Sequence, residues 1–256
     1  MLPVTLAIIT CNEEERISRA IASAGSVAEV LVVDSGSTDK TVAVAKGMGS
    51  RVIHAEWPGY GPQKNRALEE ATENWVLSID ADEAITPELL DSIQELFRQG
   101  PKLKAYAFQR QNYWRGKRVR FGSYGPQWKT RLIQKGAGSW EGGILHETLE
   151  TPETVGRLDG MLDHLPYRDE EDFRETSTAY AELFAQKALA EGRRARWWDT
   201  LFRPILHFVK SGLLKGGFLE GRRGLQLAFL GACEVAEKWS RLSTLQREAQ
   251  MEERVS

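Results

Sequence analysis

Three polar clusters in the first hundred residues each follow an apolar run: Thr10-Cys11-Asn12-Glu13, Asp34-Ser35-Gly36-Ser37 and Asp80-Ala81-Asp82. In an open parallel α/β sheet, ligands bind beyond the carboxyl ends of the strands. Asn12 and Glu13 supply acceptors and a donor suited to a nucleobase, and the second cluster can accept from a base or a ribose. Asp80 and Asp82 flank Ala81, so an extended segment points both carboxylates the same way. Two hard oxygen ligands side by side suit Mg2+ or Mn2+ carried with a diphosphate. Left bare, with Glu83 adjacent, each close pair would repel by about 4 kcal/mol at about 4 Å and an effective dielectric of about 20. One Asp at a strand end is ordinarily a turn former or helix cap. Three such clusters on one edge point to a ligand site.

The elements that must position these clusters alternate. Val4–Thr10, Val30–Val33, Arg51–His54 and Trp75–Ile79 read as strands. Helices are predicted over Glu13–Ala24, Thr41–Gly47, Gln63–Thr72 and Pro87–Gln99. This rhythm implies an α/β fold with a largely parallel sheet. From residue 104 it changes. Tyr106–Asn112, Val119–Phe121, Arg131–Gln134 and Leu145–Leu149 read as short strands that make the sheet mixed, and helices follow over 169–191, 197–214 and 223–247.

Composition excludes several classes. The 256 residues are 41% hydrophobic and 27% charged, which is ordinary globular usage and rules out disorder. The net charge of −2 argues against a nucleic-acid partner. Residues 1–100 carry 8 basic and 16 acidic side chains, whereas 101–256 carry 26 and 20, so the first part suits cations and the second anions. Two cysteines, Cys11 and Cys233, exclude a disulfide framework and a cysteine-rich zinc site. Cys233 reads as core filler. The N-terminus lacks a basic region before its apolar run, unlike a signal peptide. The longest apolar stretch, Leu227–Cys233, is far short of the roughly 20 residues that span a bilayer. A cytosolic or peripheral protein is the expectation.

Taken in order, TCNEEERI, VVDSGSTDKT and QKNRALEEATENWVLSIDADE resemble the nucleotide-sugar domain of the family-two inverting glycosyltransferases with the GT-A fold. KTRLIQKG, GGILHETLE and GGFLEGRRG resemble more narrowly the bacterial lipopolysaccharide inner-core β-glucosyltransferases. The resemblance covers about residues 3–240. It implies a Rossmann-like, mixed, mostly parallel sheet flanked by helices, with a C-terminal helical extension. A catalytic domain over 1–167 would bind nucleotide-sugar and acceptor, and 168–256 would form a helical region at the membrane or an oligomer interface. Thr10, Asn12, Glu13, Asp34, Ser35, Lys64, Asn65, Asp80 and Ala81 match the nucleotide-sugar positions. Ser35 stands where many relatives have a second Asp. Asp82, with Asp80, matches the metal-binding pair, implying a divalent Mg or Mn cofactor. Glu147 is the implied general base, and Arg131, Trp128 and His146 are assigned to the acceptor. In a strand His146 faces away from Glu147, which leaves a structural role open.

The implied reaction moves a sugar, glucose by the narrower resemblance, from a UDP-sugar to a heptose of the lipopolysaccharide inner core. A polyprenyl-phosphate glycosyltransferase shares the nucleotide motifs, and a non-catalytic glycolipid-binding protein shares the fold. Residues 102–135 hold ten basic side chains and no acid, interleaved with Tyr113, Trp114, Phe121, Tyr124 and Trp128, which suits an anionic glycolipid or a solvated basic face. Residues 186–247 carry 12 basic and 5 acidic side chains among paired large apolar residues. Such helices suit an anionic membrane surface, and a homo-oligomer interface is the alternative.

Overall fold

The structure, a computed structural model, describes residues 1–142 and 147–255. The β-branched run near the N-terminus forms β1 (Leu2–Thr10), whose residues from Val4 onward are buried on both faces. It pairs in parallel with β2 (Val27–Asp34) on one side and β4 (Trp75–Asp80) on the other. A further parallel strand, β3 (Arg51–His54), lies outside β2. Past β4 the sheet continues through β8 (Gln127–Gln134), β6 (Ala105–Trp114), β11 (Val155–His164) and β5 (Glu83–Ile85). The β4–β8, β8–β6 and β11–β5 pairs are antiparallel. Four helices link the early strands: α1 (Ile17–Ser23), α2 (Thr41–Gly47), α3 (Tyr60–Glu70) and α4 (Pro87–Gln99). The remaining strands are β7 (Lys117–Arg118), which pairs with β6, and the hairpin of β9 (Ser139–Glu141) and β10 (Thr148–Glu150). This is the mixed sheet flanked by helices, with a helical C-terminal extension, that the sequence implied.

The chain divides into two compact units, Met1–Gln111 with Gln127–Pro166, and Asn112–Pro126 with Tyr167–Ser256. Residues 112–126 therefore depart from the 1–167 domain read from the sequence. Trp114 and Val119 explain it, since they are buried against Phe173, Leu227 and Leu230 of the helical unit.

In the first unit the core is built on Val4, Leu6, Ile8, Val32, Leu77 and Ile79, closed by Leu89 and Ile93 of α4. Thr86 caps α4 by accepting from the Leu89 amide at 3.3 Å, and Pro87 supplies a preset first turn. Gly160, at φ +93°, lets β11 cross that turn, because a Cβ there would meet the Leu89 backbone.

The second unit contains α5 (Glu170–Ala190), α6 (Trp197–Val209) and α7 (Arg222–Val255). Asp169 caps α5 by accepting from the amides of Glu171 and Asp172, and the first turn is acidic, as the helix dipole favours. Ala185, Ala188, Trp239 and Leu242 seal α5 against α7. Cys233 is exposed on α7 rather than filling the core.

Two local differences matter for the site. The first helix starts at Ile17 instead of Glu13. Asn12 takes φ +56°, and side chains from the β2–α2 loop hold the next amides, Thr41 Oγ1 accepting from Glu13 and Asp39 from Glu14. The second difference is a pair of unexpected strands, β5 and β11. They pair so that Glu83 lies opposite His164.

Glu29 on β2 gathers the parallel half of the sheet. Its carboxylate accepts from Thr5 Oγ1 at 2.6 Å, Arg51 Nε at 2.8 Å, and both the amide and hydroxyl of Thr72 at 2.8 Å. Burial works to raise its carboxyl, and these donors overcome it, lowering it to about 2. A depressed folded value contributes stability above the unfolded value and loses it as pH falls. Glu29→Gln should therefore lower unfolding free energy at pH 7 by about 2 kcal/mol. In urea titrations the gap should close between pH 4.5 and about 2.

Candidate active site

Strand register brings the three clusters together. Thr10 pairs with Asp34 across β1 and β2, and Ile9 pairs with Asp80 across β1 and β4, so all three strand ends lie on one edge of the sheet. The edge is crowded with charge. Asp80 Oδ1 lies 2.8 Å from Lys64 Nζ, and its Oδ2 lies 3.0 Å from Arg131 Nη2. The same Lys64 ammonium donates to Glu147 Oε1 at 2.7 Å. The same Arg131 nitrogen donates to Glu83 Oε1 at 3.0 Å, and Glu83 Oε2 accepts from the Asp80 amide at 2.9 Å. Lys64 and Glu83 are 0% exposed. The Trp140 ring roofs the group, 4.6 Å from Lys64 Nζ and 5.1 Å from the Arg131 guanidinium.

Burial alone would raise the Asp80 carboxyl, but the Lys64 ammonium and Arg131 guanidinium hold it far below the usual carboxylate range. Burial likewise works against charge on Asp82, and His164 overcomes it, leaving that carboxyl lowered. His164 Nε2 stands 3.2 Å from Asp82 Oδ2.

Several expected roles change. Each Asp80 oxygen faces a cation, Oδ1 Lys64 and Oδ2 Arg131, so a metal there would have to displace one of them. Lys64 is enclosed between Asp80 and Glu147 and does not reach out to phosphate. Arg131 is buried under Trp140 and turned toward Asp80 and Glu83. The Asn65 amide is spent at both ends on the Trp140 backbone, donating at 2.8 Å and accepting at 2.7 Å. The Glu13 carboxylate is forked onto Arg16 at 2.6 and 2.7 Å rather than presented outward. The ten-basic stretch is no single anionic-ligand face. Arg110 and Arg131 reach Glu83, Lys104 meets Glu153 and Arg115 meets Glu170.

Other residues stay where a ligand could use them. Thr10 Oγ1 is buried without a hydrogen-bond partner. Asp34 accepts from the Gly36 and Ser37 amides and the Ser37 hydroxyl. That turn leaves about one of a carboxylate's four acceptor positions. Ser35 Oγ accepts from Gln63 at 3.0 Å. Asn12, exposed, accepts from the Thr38 amide at 2.8 Å. Ala81 is buried between the two aspartates. Trp128 is exposed, with the Arg157 guanidinium 4.7 Å over its ring. His146 lies outside the described residues. The thiol of Cys11 is raised by burial and by Asp34, Asp39 and Glu13, which disfavours a nucleophilic thiolate.

Three residues were missed in sequence. Glu83 locks Arg131, and only strand pairing reveals it. His164 comes to Asp82 from the far end of the first unit, with no local motif. Lys129 lies two residues before Arg131 on β8, and its ammonium is lowered by burial and by Arg110 and Arg131. It makes no ion pair among the described residues. The i, i+2 spacing to Arg131 was a readable signal.

A divalent ion fits one place. Asp82 Oδ1 is buried with no hydrogen-bond partner among the described residues, and His164 Nε2 stands beside the same carboxylate. The described residues contain no cluster of three or more His, Cys, Asp or Glu able to hold a metal. A cation seated here would thus need oxygens from a ligand, as Mg2+ bound with substrate phosphates does.

Residues 5–148, more than half the chain, match the model of glycosyl transferase family 2. The chain belongs to this family. It is 30% identical over 253 residues, 93% of each chain, to the lipopolysaccharide core biosynthesis glycosyltransferase LpsC of Rhizobium meliloti (strain 1021). An uncharacterized glycosyltransferase of Rickettsia typhi is 44% identical over 110 residues, 43% of this chain and 38% of that one. Among solved structures, a Mycobacterium tuberculosis glucosyl-3-phosphoglycerate synthase holding Mn2+, UDP and glucosyl-3-phosphoglycerate aligns over 44% of each chain, at 27% identity and TM-score 0.35.

In this family 2 chain Lys64 is the common counter-ion of two carboxylates. Lys64→Met would leave the half-buried Asp80 and Glu147 without it, and should cost about 3 kcal/mol of stability. Denaturant midpoints should show the loss at pH 7. The loss should shrink as pH falls below the ordinary carboxylate range, where Asp80 in the variant becomes neutral.

Proposed function

We propose that this protein is an inverting glycosyltransferase that moves glucose from UDP-glucose to a heptose hydroxyl of the lipopolysaccharide inner core. The observation that carries the transfer chemistry is the juxtaposition of Asp82, with its partnerless buried oxygen, and the Lys64–Glu147 pair on one sheet edge. The core acceptor is supported by the LpsC relative, which is similar over nearly the whole chain.

Thr10 and Asp34 would meet the uracil and Asn12 the adjoining ribose. Asp82 and His164 would hold a Mg2+ or Mn2+ ion together with the diphosphate. That ion, when bound, neutralises charge on the departing diphosphate. Lys129, the uncommitted cation, would add to that neutralisation. The acceptor oxygen attacks the anomeric carbon in line as the bond to the diphosphate oxygen breaks, which inverts the centre. Glu147 takes the hydroxyl proton. Its Oε1 is engaged by Lys64, so Oε2 is the oxygen assigned to that proton. Trp128 offers an exposed ring for a sugar face. Because the acceptor is lipid-linked, the enzyme works at the cytosolic face of the inner membrane.

Calorimetry with UDP and Mn2+ should give clear binding that chelation or Asp82→Asn weakens at least tenfold. Unchanged affinity in both would remove the metal role. Glu147→Gln should keep UDP-sugar affinity while turnover on core glycolipid falls about 10²–10⁴-fold. Mass spectrometry of products separates a glycosylated core from a glycosylated polyprenyl phosphate, and the latter would overturn the acceptor.

A further inference from the structure

Helix α6 is built inside out. A helix on a soluble protein turns its apolar stripe inward and its charges outward. Here Asp199 is buried, Arg203 lays its guanidinium 4.1 Å over the Trp239 ring of α7, and His207 faces Gly231 of the same helix. Positions 199, 203 and 207 are spaced i, i+4, i+8, so polar groups line the side toward α7, with Arg203 itself still 51% exposed. The opposite face is apolar and bare. Leu201, Phe202, Ile205 and Leu206 are 51–65% exposed, preceded by Trp197 at 71%. The surface runs on through the following turns, where Leu213 is 55%, Leu214 80% and Phe218 51% exposed. At about 200 Å² per aromatic side chain, the four most exposed rings alone leave about 400 Å² of apolar surface uncovered. That already matches the largest patch of a typical monomer.

Charge decides what covers it. Residues 192–219 hold six basic side chains (Arg193, Arg194, Arg196, Arg203, Lys210 and Lys215) and a single acid, Asp199. That acid is bound to Arg203 at 2.6 Å. At the N-terminal end of α6 a hollow of about 470 Å³ is lined by Arg193, Arg194, Arg196 and Arg203, with one acid, Asp199, and the rings of Trp198 and Trp239. Three of these guanidiniums are braced on rings, Arg193 over Phe184 at 6.0 Å, Arg196 over Trp198 at 5.1 Å and Arg203 over Trp239. Two copies of this face would bring two basic collars together and pay Coulomb repulsion. An anionic lipid surface answers both halves, its phosphates taking the arginines and its acyl boundary the leucines and aromatics. The tryptophans stand at the junction, where amphipathic rings favour the headgroup level. No helix among the described residues is long and apolar enough to cross a membrane, so attachment through α6 would lie in the plane of the interface.

We infer that α6 and the turn to Phe218 form an in-plane membrane-docking surface selective for anionic phospholipid, with the arginine hollow receiving a headgroup phosphate. The inference names the surface behind the membrane location proposed above. It rests on residues of the helical unit alone, so its test separates from that of the transfer chemistry.

The experiment is co-sedimentation of the full chain with phosphatidylglycerol-containing vesicles and with pure phosphatidylcholine vesicles, with UDP calorimetry in parallel. The wild type should pellet with the anionic vesicles at 0.1 M salt and be released at 1 M, where the Debye length falls from about 10 Å to about 3 Å. Each basic group near an anionic surface is worth about fivefold, so Arg193→Glu, Arg194→Glu and Arg196→Glu combined should lower partitioning at least about a hundredfold. Phe202→Glu with Leu206→Glu should abolish pelleting with all six basic groups intact. Both variants should keep the wild-type circular dichroism and UDP affinity. Three results would overturn the inference: a wild type that stays in the supernatant, unchanged pelleting of the Phe202/Leu206 variant, or a solution dimer which that variant dissociates. Absence of UDP binding by the wild type would count against the transferase reading and leave the vesicle result standing.

Discussion

Lys64 is wholly buried, and an ammonium ion taken out of water must be compensated or neutralised. Its compensation comes from two carboxylates that belong to distant parts of the chain, Asp80 at the end of β4 and Glu147 beyond β9. The pair of contacts ties the aspartate segment to the candidate base through one side chain. Arg131 does the same on the other side, joining Asp80 to Glu83 through a single nitrogen. Asp80 thus faces a cation with each oxygen, whereas the neighbouring Asp82 faces His164 with one. A segment that looks like two equivalent carboxylates is therefore divided by its surroundings into one held between two cations and one set beside a histidine.

The parallel strands were legible because their evidence is local. A β-branched run followed by a polar cluster marks a buried strand and its carboxyl end, and the register places Thr10, Asp34 and Asp80 on one edge as that pattern implied. What could not be read was burial. Lys64 and Arg131 look in sequence like groups offered to phosphate or sugar, yet their charges are spent inward. β11 was illegible for another reason. Gly156 and Gly160 break its pattern, and its burial alternates without a continuous apolar face. With the strand hidden, His164 had no visible reason to stand beside Asp82.

The helical unit shows the same limit. Its basic, aromatic-rich composition was plain, but composition does not say which face points outward. The pairing of Asp199 with Arg203, and of Arg203 with Trp239, turns the polar side of α6 inward and leaves the leucines outside. In both units a few buried charges decide what the surface presents.

The central claim is that Asp82, and not Asp80, carries the cation that accompanies the donor diphosphate. Anomalous diffraction from crystals grown with Mn2+ and UDP tests it most directly. The account predicts one manganese peak within bonding distance of Asp82 Oδ1 and the diphosphate oxygens, with Asp80 still held by Lys64 and Arg131. A peak ligated by Asp80, or UDP seated with Asp82 unengaged, would contradict it.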